Sequence, residues 1–217
     1  RRWFATNTLS NAIGQGEVLS TPIQLANLTA TIANRGYYYT PHIIKEIEND
    51  TIPNKFLEKH QTTIDTKNFE PVVQGMYDVY NKGTASLLRI PGINIAGKTG
   101  TAENFTKIEG ERVQLTDHSI FVAFAPVEDP KIAIAVFVEN GYWGSRWAGR
   151  IASLMIEKYV KGEITRTDME NYLLKGSLEE EYAKPLSGES FRINDGKTFV
   201  KWPEKEVIKQ PTKKPLP

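Results

Sequence analysis

The 217-residue chain contains no cysteine, so neither a disulfide framework nor a thiolate metal site is open to it. Its three histidines, His42, His60 and His118, are scattered along the sequence, which argues against a metal centre. Neither sign of charge is in excess: Lys and Arg number 27 and Asp and Glu 26, a formal net charge of +1. No global field therefore draws the protein to nucleic acid or to an anionic membrane surface. Long apolar runs are lacking too. The longest, Ile132 to Val138, has the length of a strand and falls far short of the ~20 residues of a membrane helix. Arg1-Arg2-Trp3-Phe4 does not open a signal peptide, because no long apolar stretch follows it.

What is present reads as one globular unit with a tail. Residues 1–19 look irregular, punctuated by Gly14-Gln15-Gly16. Thr21 then suits an N-cap, Pro22 the first helical position and Gln24 a capping box, predicting a helix that Asn34-Arg35-Gly36 stops. Leu25, Leu28, Ile32 and Ala33 would be its buried stripe. Tyr37 to Ile47 looks extended, and residues 50–67 read as a loop or short hairpin. Val72, Val73, Met76, Tyr77 and Tyr80 predict a second helix, ended by Asn81-Lys82-Gly83.

Ile93 and Ile95 alternate into a strand over 93–102, and the polar residues 104–117 suit a loop or flexible hairpin. Ile120–Ala125 and Ile132–Val138 are near-continuous apolar runs joined by a turn, predicting antiparallel strands covered on both faces. Trp147, Ile151, Leu154, Met155 and Tyr159 predict a closing helix before Lys161-Gly162. The expected fold is α+β, an antiparallel sheet flanked by helices. The expected division is a domain over 1–162 and an extension over 163–217. In that extension Leu173 and Leu174 end a short helix, Glu179-Glu180-Glu181 is a solvated run, and residues 201–217 form a tail with four Pro and five Lys.

The sharpest motif is Lys98-Thr99-Gly100-Thr101, placed on a strand after Gly97. A Lys-Thr-Gly triplet on a sheet strand is one of three motifs of serine acyl-transferases that act on D-Ala-D-Ala peptides and β-lactams. Each residue type has a physical task there. Lys98 would set a positive charge beside the reacting carbonyl. The Thr99 and Thr101 hydroxyls would donate to a substrate carboxylate. Gly100 would let a substrate backbone lie against the strand, and the Thr101 N–H would serve an oxyanion hole. A competing pattern overlaps it: Gly92 to Thr99 satisfies G-x-x-x-x-G-K-[ST], the phosphate loop. A phosphate loop needs a strand before it and a helix after it. The flanking residues predict a helix stop before it and an extended segment after it.

Beyond these residues the chain resembles class B penicillin-binding proteins, most of all the penicillin-binding protein 2 group of cell elongation. Gly14-Gln15-Gly16 with Thr21-Pro22-Ile23-Gln24 resembles the family's stretch ahead of a helix. The resemblance continues through Ile32 to Gly36, the Gly83-Thr84-Ala85 turn, Ala96 to Asn104, Asp117 to Pro126, and Val136 to Gly141. It spans roughly residues 7–160. It implies a β-lactamase/transpeptidase-like fold and, in the parent protein, a peptidoglycan D,D-transpeptidase acting through a serine acyl-enzyme and acylated by β-lactams. Lys98, Thr99, Gly100 and Thr101 would bind substrate, Lys98 would act electrostatically, and the Thr101 N–H would line the oxyanion hole. No cofactor is implied.

One departure stands out. The family's nucleophile lies in S-x-x-K and a second motif is S-x-N, yet no serine here has Lys three residues on or Asn two residues on. The resemblance places both upstream of residue 1, together with any membrane anchor. The implied partners are stem peptides ending in D-Ala-D-Ala, β-lactams and the cell-elongation machinery. The implied location is the periplasmic side of the inner membrane. Without the upstream half, the strands 120–125 and 132–138 are expected to be exposed and to drive self-association. The alternatives are a serine β-lactamase or β-lactam sensor, and a non-catalytic cell-wall-assembly module.

Overall fold

The computed structural model describes residues 2–16, 18–108 and 111–179. Three helices precede the main sheet: α1 (Ala5–Ala12), α2 (Pro22–Ala33) and α3 (Phe69–Asn81). Between α2 and α3, strand β1 (Tyr37–Tyr39) pairs antiparallel with β2 (Lys59–Gln61). The main sheet is β3 (Ala96–Ile108), β4 (Glu111–Ala125) and β5 (Ile132–Val138), antiparallel and in the order β3-β4-β5. Helices α4 (Ala148–Lys161) and α5 (Thr167–Lys175) close the described chain. The α+β expectation is met. The acidic run at 179–181 falls mostly, and the Pro/Lys tail wholly, outside the described residues.

Two cores sandwich the sheet. On one face Phe121, Ala123 and Ala125 of β4 meet Ala148, Ala152 and Ile156 of α4, with Tyr80, Leu88 and Ile95 alongside. On the other, Phe124 and Ala96 pack with Ala33 of α2 and with Val73 and Met76 of α3. Phe121, Ala123, Phe124 and Ala125 have no exposed surface. The expectation that these strands would lie bare holds only in part: α2, α3 and α4 cover Phe121, Ala123, Phe124 and Ala125, while Ile120, Val122 and most of β5 stay half-buried and Phe137 is exposed. Exposed large apolar side chains also gather around α1 and α2: Trp3 and Phe4 just ahead of α1, Leu9 within it, Ile13 at its end, and Ile23 and Leu28 of α2.

Several local expectations change as well. The segment read as irregular contains α1, none of whose residues is buried and whose one large apolar residue, Leu9, gives too little pattern for a helical period. In α2 the capping box forms, Thr21 N–H donating to Gln24 Oε1 at 2.8 Å. Yet Thr29 and Thr31 are buried while Leu28 is exposed. The two hydroxyls can be buried because each donates to a carbonyl one turn back, of Leu25 and Asn27, both at 2.7 Å. The strand expected from Ile93 begins at Ala96, since Ile93 bridges back to Ile90 around Gly92. Of the two readings of 104–117, the hairpin is the one found: β3 and β4 stay paired out to Ile108 and Glu111, past a register shift between Ala102 and Asn104.

Helix α4 shows the largest revision. Met155 and Tyr159, expected in its stripe, are exposed, and Ser153 and Glu157 are fully buried in their place. Ser153 Oγ donates to the Leu88 carbonyl at 2.7 Å. Glu157 accepts from Thr165 Oγ1 at 2.6 Å and from Arg166 Nε at 2.9 Å. Burial by itself raises a carboxyl pKa, but the Thr165 and Arg166 hydrogen bonds and the Arg166 charge hold Glu157 below its ordinary value. Gly162, with φ +84°, ends α4 and turns the chain back so that Arg166 reaches Glu157.

Removing Arg166 leaves the buried Glu157 with only the Thr165 hydroxyl and the Lys161 ammonium 3.9 Å away. Arg166→Met is therefore expected to cost on the order of 3–5 kcal/mol in urea unfolding. Adding Glu157→Gln should recover most of that. A paired variant no more stable than the single one would show that the ion pair is not the contact that matters.

Candidate active site

Among the described residues β3 is an edge strand, hydrogen-bonded to β4 on one side only. Directly opposed residues of an antiparallel pair share a face. Lys98 opposes Val122 and Gly100 opposes Ile120, on the face that bears Phe124; Thr99 opposes Phe121 and Thr101 opposes Ser119, on the α4 face. Val122 and Ile120 are half-buried, so the sheet under Lys98 and Gly100 is an apolar floor that the described residues leave partly open. Lys98 is exposed above it, its Nζ donating to the Thr99 carbonyl at 2.6 Å. Among the described ion pairs, none includes Lys98. The strand conformation also removes the phosphate-loop alternative, since no helix opens at Lys98.

The four motif residues thus come together on one open edge, with the two threonines and the lysine on opposite faces. Thr99 is not free: its hydroxyl lies 3.0 Å from that of Thr84, in the turn between α3 and β3. Sequence reasoning recognised the Gly83-Thr84-Ala85 turn but gave Thr84 no place in the site. Its only signal was the resemblance, because a contact 15 residues away depends on the path of the turn.

The strand is backed by the segment between β5 and α4. Gly144 lies so close to β3 that a Cβ there would collide with the Gly100 carbonyl, and it would lie 2.6 Å from the Ile120 carbonyl. Ser119 anchors this segment, its Oγ donating to the Trp143 carbonyl at 2.7 Å and accepting from the Ala148 N–H at 3.1 Å. Asn140 and Tyr142 hold positive φ of 55° and 68°, a conformation non-glycine residues avoid unless the surroundings impose it. Here Asn104 Nδ2 donates to Asn140 Oδ1 at 2.7 Å, and Tyr142 N–H donates to the Asp117 carbonyl at 3.0 Å. Among the described residues no group of acidic, His or Cys side chains could hold a metal ion.

A profile described as the penicillin binding protein transpeptidase domain matches residues 1–157. The chain belongs to that family. The peptidoglycan D,D-transpeptidase MrdA of Haemophilus influenzae is 30% identical over 207 residues, covering 89% of this chain and 31% of that protein. Among solved structures, Pseudomonas aeruginosa PBP2 in complex with WCK 5153 superposes with a TM-score of 0.60 at 31% identity, over 77% of this chain and 36% of that one. The PBP2 of a Helicobacter pylori complex with MreC gives 0.57 at 32% identity, over 75% and 28%. The chain therefore spans about a third of the length of the relatives it matches. The resemblance to the penicillin-binding protein 2 type and to the transpeptidase fold stands.

His118 lies on the same face as Ile120 and Val122, tilted against Phe137 with ring centroids 5.1 Å apart. Its Nδ1 accepts the Asn140 N–H at 3.1 Å, which requires the unprotonated nitrogen. Burial lowers its pKa below 6.5, outweighing the upward pull of Glu139 and Asp117. A histidine depressed in the fold takes up its proton more readily when unfolded. Its support of the fold is thus complete above the unfolded value and is lost as pH falls through 6.5 toward the folded pKa. Melting temperature should consequently drop less between about pH 7 and 5 in His118→Gln than in the wild type. Parallel curves would place the titration elsewhere.

Proposed function

We propose that this chain is the C-terminal portion, residues 1–162 with an extension over 163–217, of the transpeptidase domain of a peptidoglycan D,D-transpeptidase. The observation that carries the reading is the open edge of β3, with Lys98 exposed over the Ile120–Val122 floor within the residues that match the family. A stem peptide ending in D-Ala-D-Ala, or a β-lactam in its place, would lie along that edge as an added strand, permitted by the missing side chain of Gly100. The Lys98 ammonium faces the reacting carbonyl. The Thr99 and Thr101 hydroxyls, with Thr84 holding the first, bind the terminal carboxylate. The Thr101 N–H donates to the oxyanion.

The nucleophile lies outside residues 1–217. A serine Oγ attacks the carbonyl of the penultimate D-Ala, the terminal D-Ala leaves carrying a proton, and an acceptor amine then displaces the serine to form the cross-link. The exposed apolar side chains of α1 and α2 are where the remainder of the domain packs. In an isolated chain they drive self-association. The MreC complex of the Helicobacter neighbour supports an elongation-machinery partner, and a peptidoglycan substrate, as the MrdA relatives' name gives, favours a place on the periplasmic side of the inner membrane.

In the full-length protein, Lys98→Ala should slow acylation by a fluorescent penicillin about 10²-fold or more while leaving the melting temperature nearly unchanged. An unchanged acylation rate would remove Lys98 from the site. Mass spectrometry of residues 1–217 alone, incubated with penicillin, should show no covalent adduct. An adduct on any serine of this chain would mean that the nucleophile lies within it.

A further inference from the structure

The family match ends at residue 157, and the Arg166 side chain that reaches back to that residue lies beyond the match. We infer that Arg166 is a positioning residue for the Lys98–Thr101 strand, and that residues 163–176 strap in place the turn from which the strand departs. The inference rests on the transpeptidase reading.

Arg166 uses its whole fork. Nε donates to Glu157 Oε2 at 2.9 Å, Nη1 to the Leu88 carbonyl at 3.1 Å and the Arg89 carbonyl at 3.4 Å, and Nη2 to the Ser153 carbonyl at 3.0 Å. A lysine could not reproduce this planar, divergent set of donors. Leu88 and Arg89 lie midway along the connection between α3 and β3, and Ser153 Oγ meets the same Leu88 carbonyl from α4. Earlier in the same connection is Thr84, whose hydroxyl holds that of Thr99. One path of hydrogen bonds and covalent turn thus runs from the C-terminal segment to a motif side chain.

The strap is fastened at its far end as well. Tyr172 of α5 packs against Trp147 and lies under the Arg150 guanidinium, 4.3 Å from the ring centroid. A Cβ at Gly176 would collide with the Trp147 ring. Trp147 begins α4 directly after the Gly144 segment that backs Gly100. The strap therefore touches both supports of the strand, the turn ahead of it and the segment behind it. A reacting geometry displaced by about 1 Å can lose on the order of 10²-fold in rate, so a contact of this kind registers in the chemical step.

The experiment uses the full-length protein carrying Glu157→Gln together with Arg166→Met, which leaves no unpaired buried charge and so keeps the fold. The first-order acylation step with penicillin should fall about 10-fold, with the pre-acylation binding constant little changed, at a temperature well below melting. In a Thr84→Val background the same pair of substitutions should cost less than about 2-fold, because the path to Thr99 is already cut. A wild-type acylation rate in the paired variant would overturn the inference. So would an equal loss in both backgrounds, which a general loosening would produce. A wild-type protein that takes no penicillin would overturn the transpeptidase reading, and this inference with it.

Discussion

Among the described residues β3 forms its ladder with β4 alone, and no described strand receives the N–H and C=O groups of its other edge. An edge strand that accepts a substrate, as proposed for β3, cannot be capped, bulged away or covered as most exposed edges are. Its rigidity has to come from its faces and from the residues leading into it. The structure supplies both. Gly144 presses backbone against backbone at Gly100, and the turn ending at Ile95, itself 1% exposed, fixes where the strand begins. Ala96 and Phe124 then lock the strand's first residues into the core shared with α2 and α3.

The polar groups buried in α4 follow from the same requirement. A helix packed only by Ala148, Ala152 and Ile156 would hold the sheet but not the turn beside it, since a turn presents carbonyls rather than side chains. Ser153 and Arg166 meet those carbonyls. Burying Glu157 costs desolvation free energy, and a hydrophobic replacement of the pair could be as stable. What a hydrophobic pair cannot provide is direction: three carbonyls and a carboxylate converge on one guanidinium, and that convergence fixes the turn in one place.

Legibility in the sequence tracked how local the cause was. The cap at Thr21, the stops at Gly36 and Gly162, and the apolar runs of β4 and β5 are short-range signals, and each lies where its pattern points. The buried faces of α2 and α4 were misread because hydrophobic periodicity ranks Leu28, Met155 and Tyr159 above Thr29, Ser153 and Glu157. Whether a hydroxyl or carboxylate can be buried depends on partners such as Leu88 and Arg166, distant in sequence. At the β3–β4 hairpin beyond Ala102 the sequence left loop and hairpin open for a related reason. Its pairing is held by the backbone ladder, to which polar and charged side chains give no periodic signature. Lys98 to Thr101 were legible as a motif, whereas the Thr84 contact needed the turn's path.

The overlap of two motifs on Gly92 to Thr99 shows what a pattern leaves open and what decides it. A phosphate loop works because consecutive backbone N–H groups converge on one anion, which demands a curled backbone running into a helix N-terminus. In a strand successive N–H groups point to opposite edges, so they cannot converge. Ala96 through Ala102 pair residue for residue with Phe124 through His118, which commits alternate N–H groups to β4 and leaves the others along the open edge. That arrangement suits an extended peptide, whose own alternating groups match it, and offers a compact phosphate nothing comparable. The same lysine and threonine letters therefore suit an extended peptide better than a phosphate here because the backbone between Ile95 and Ala102 is straight.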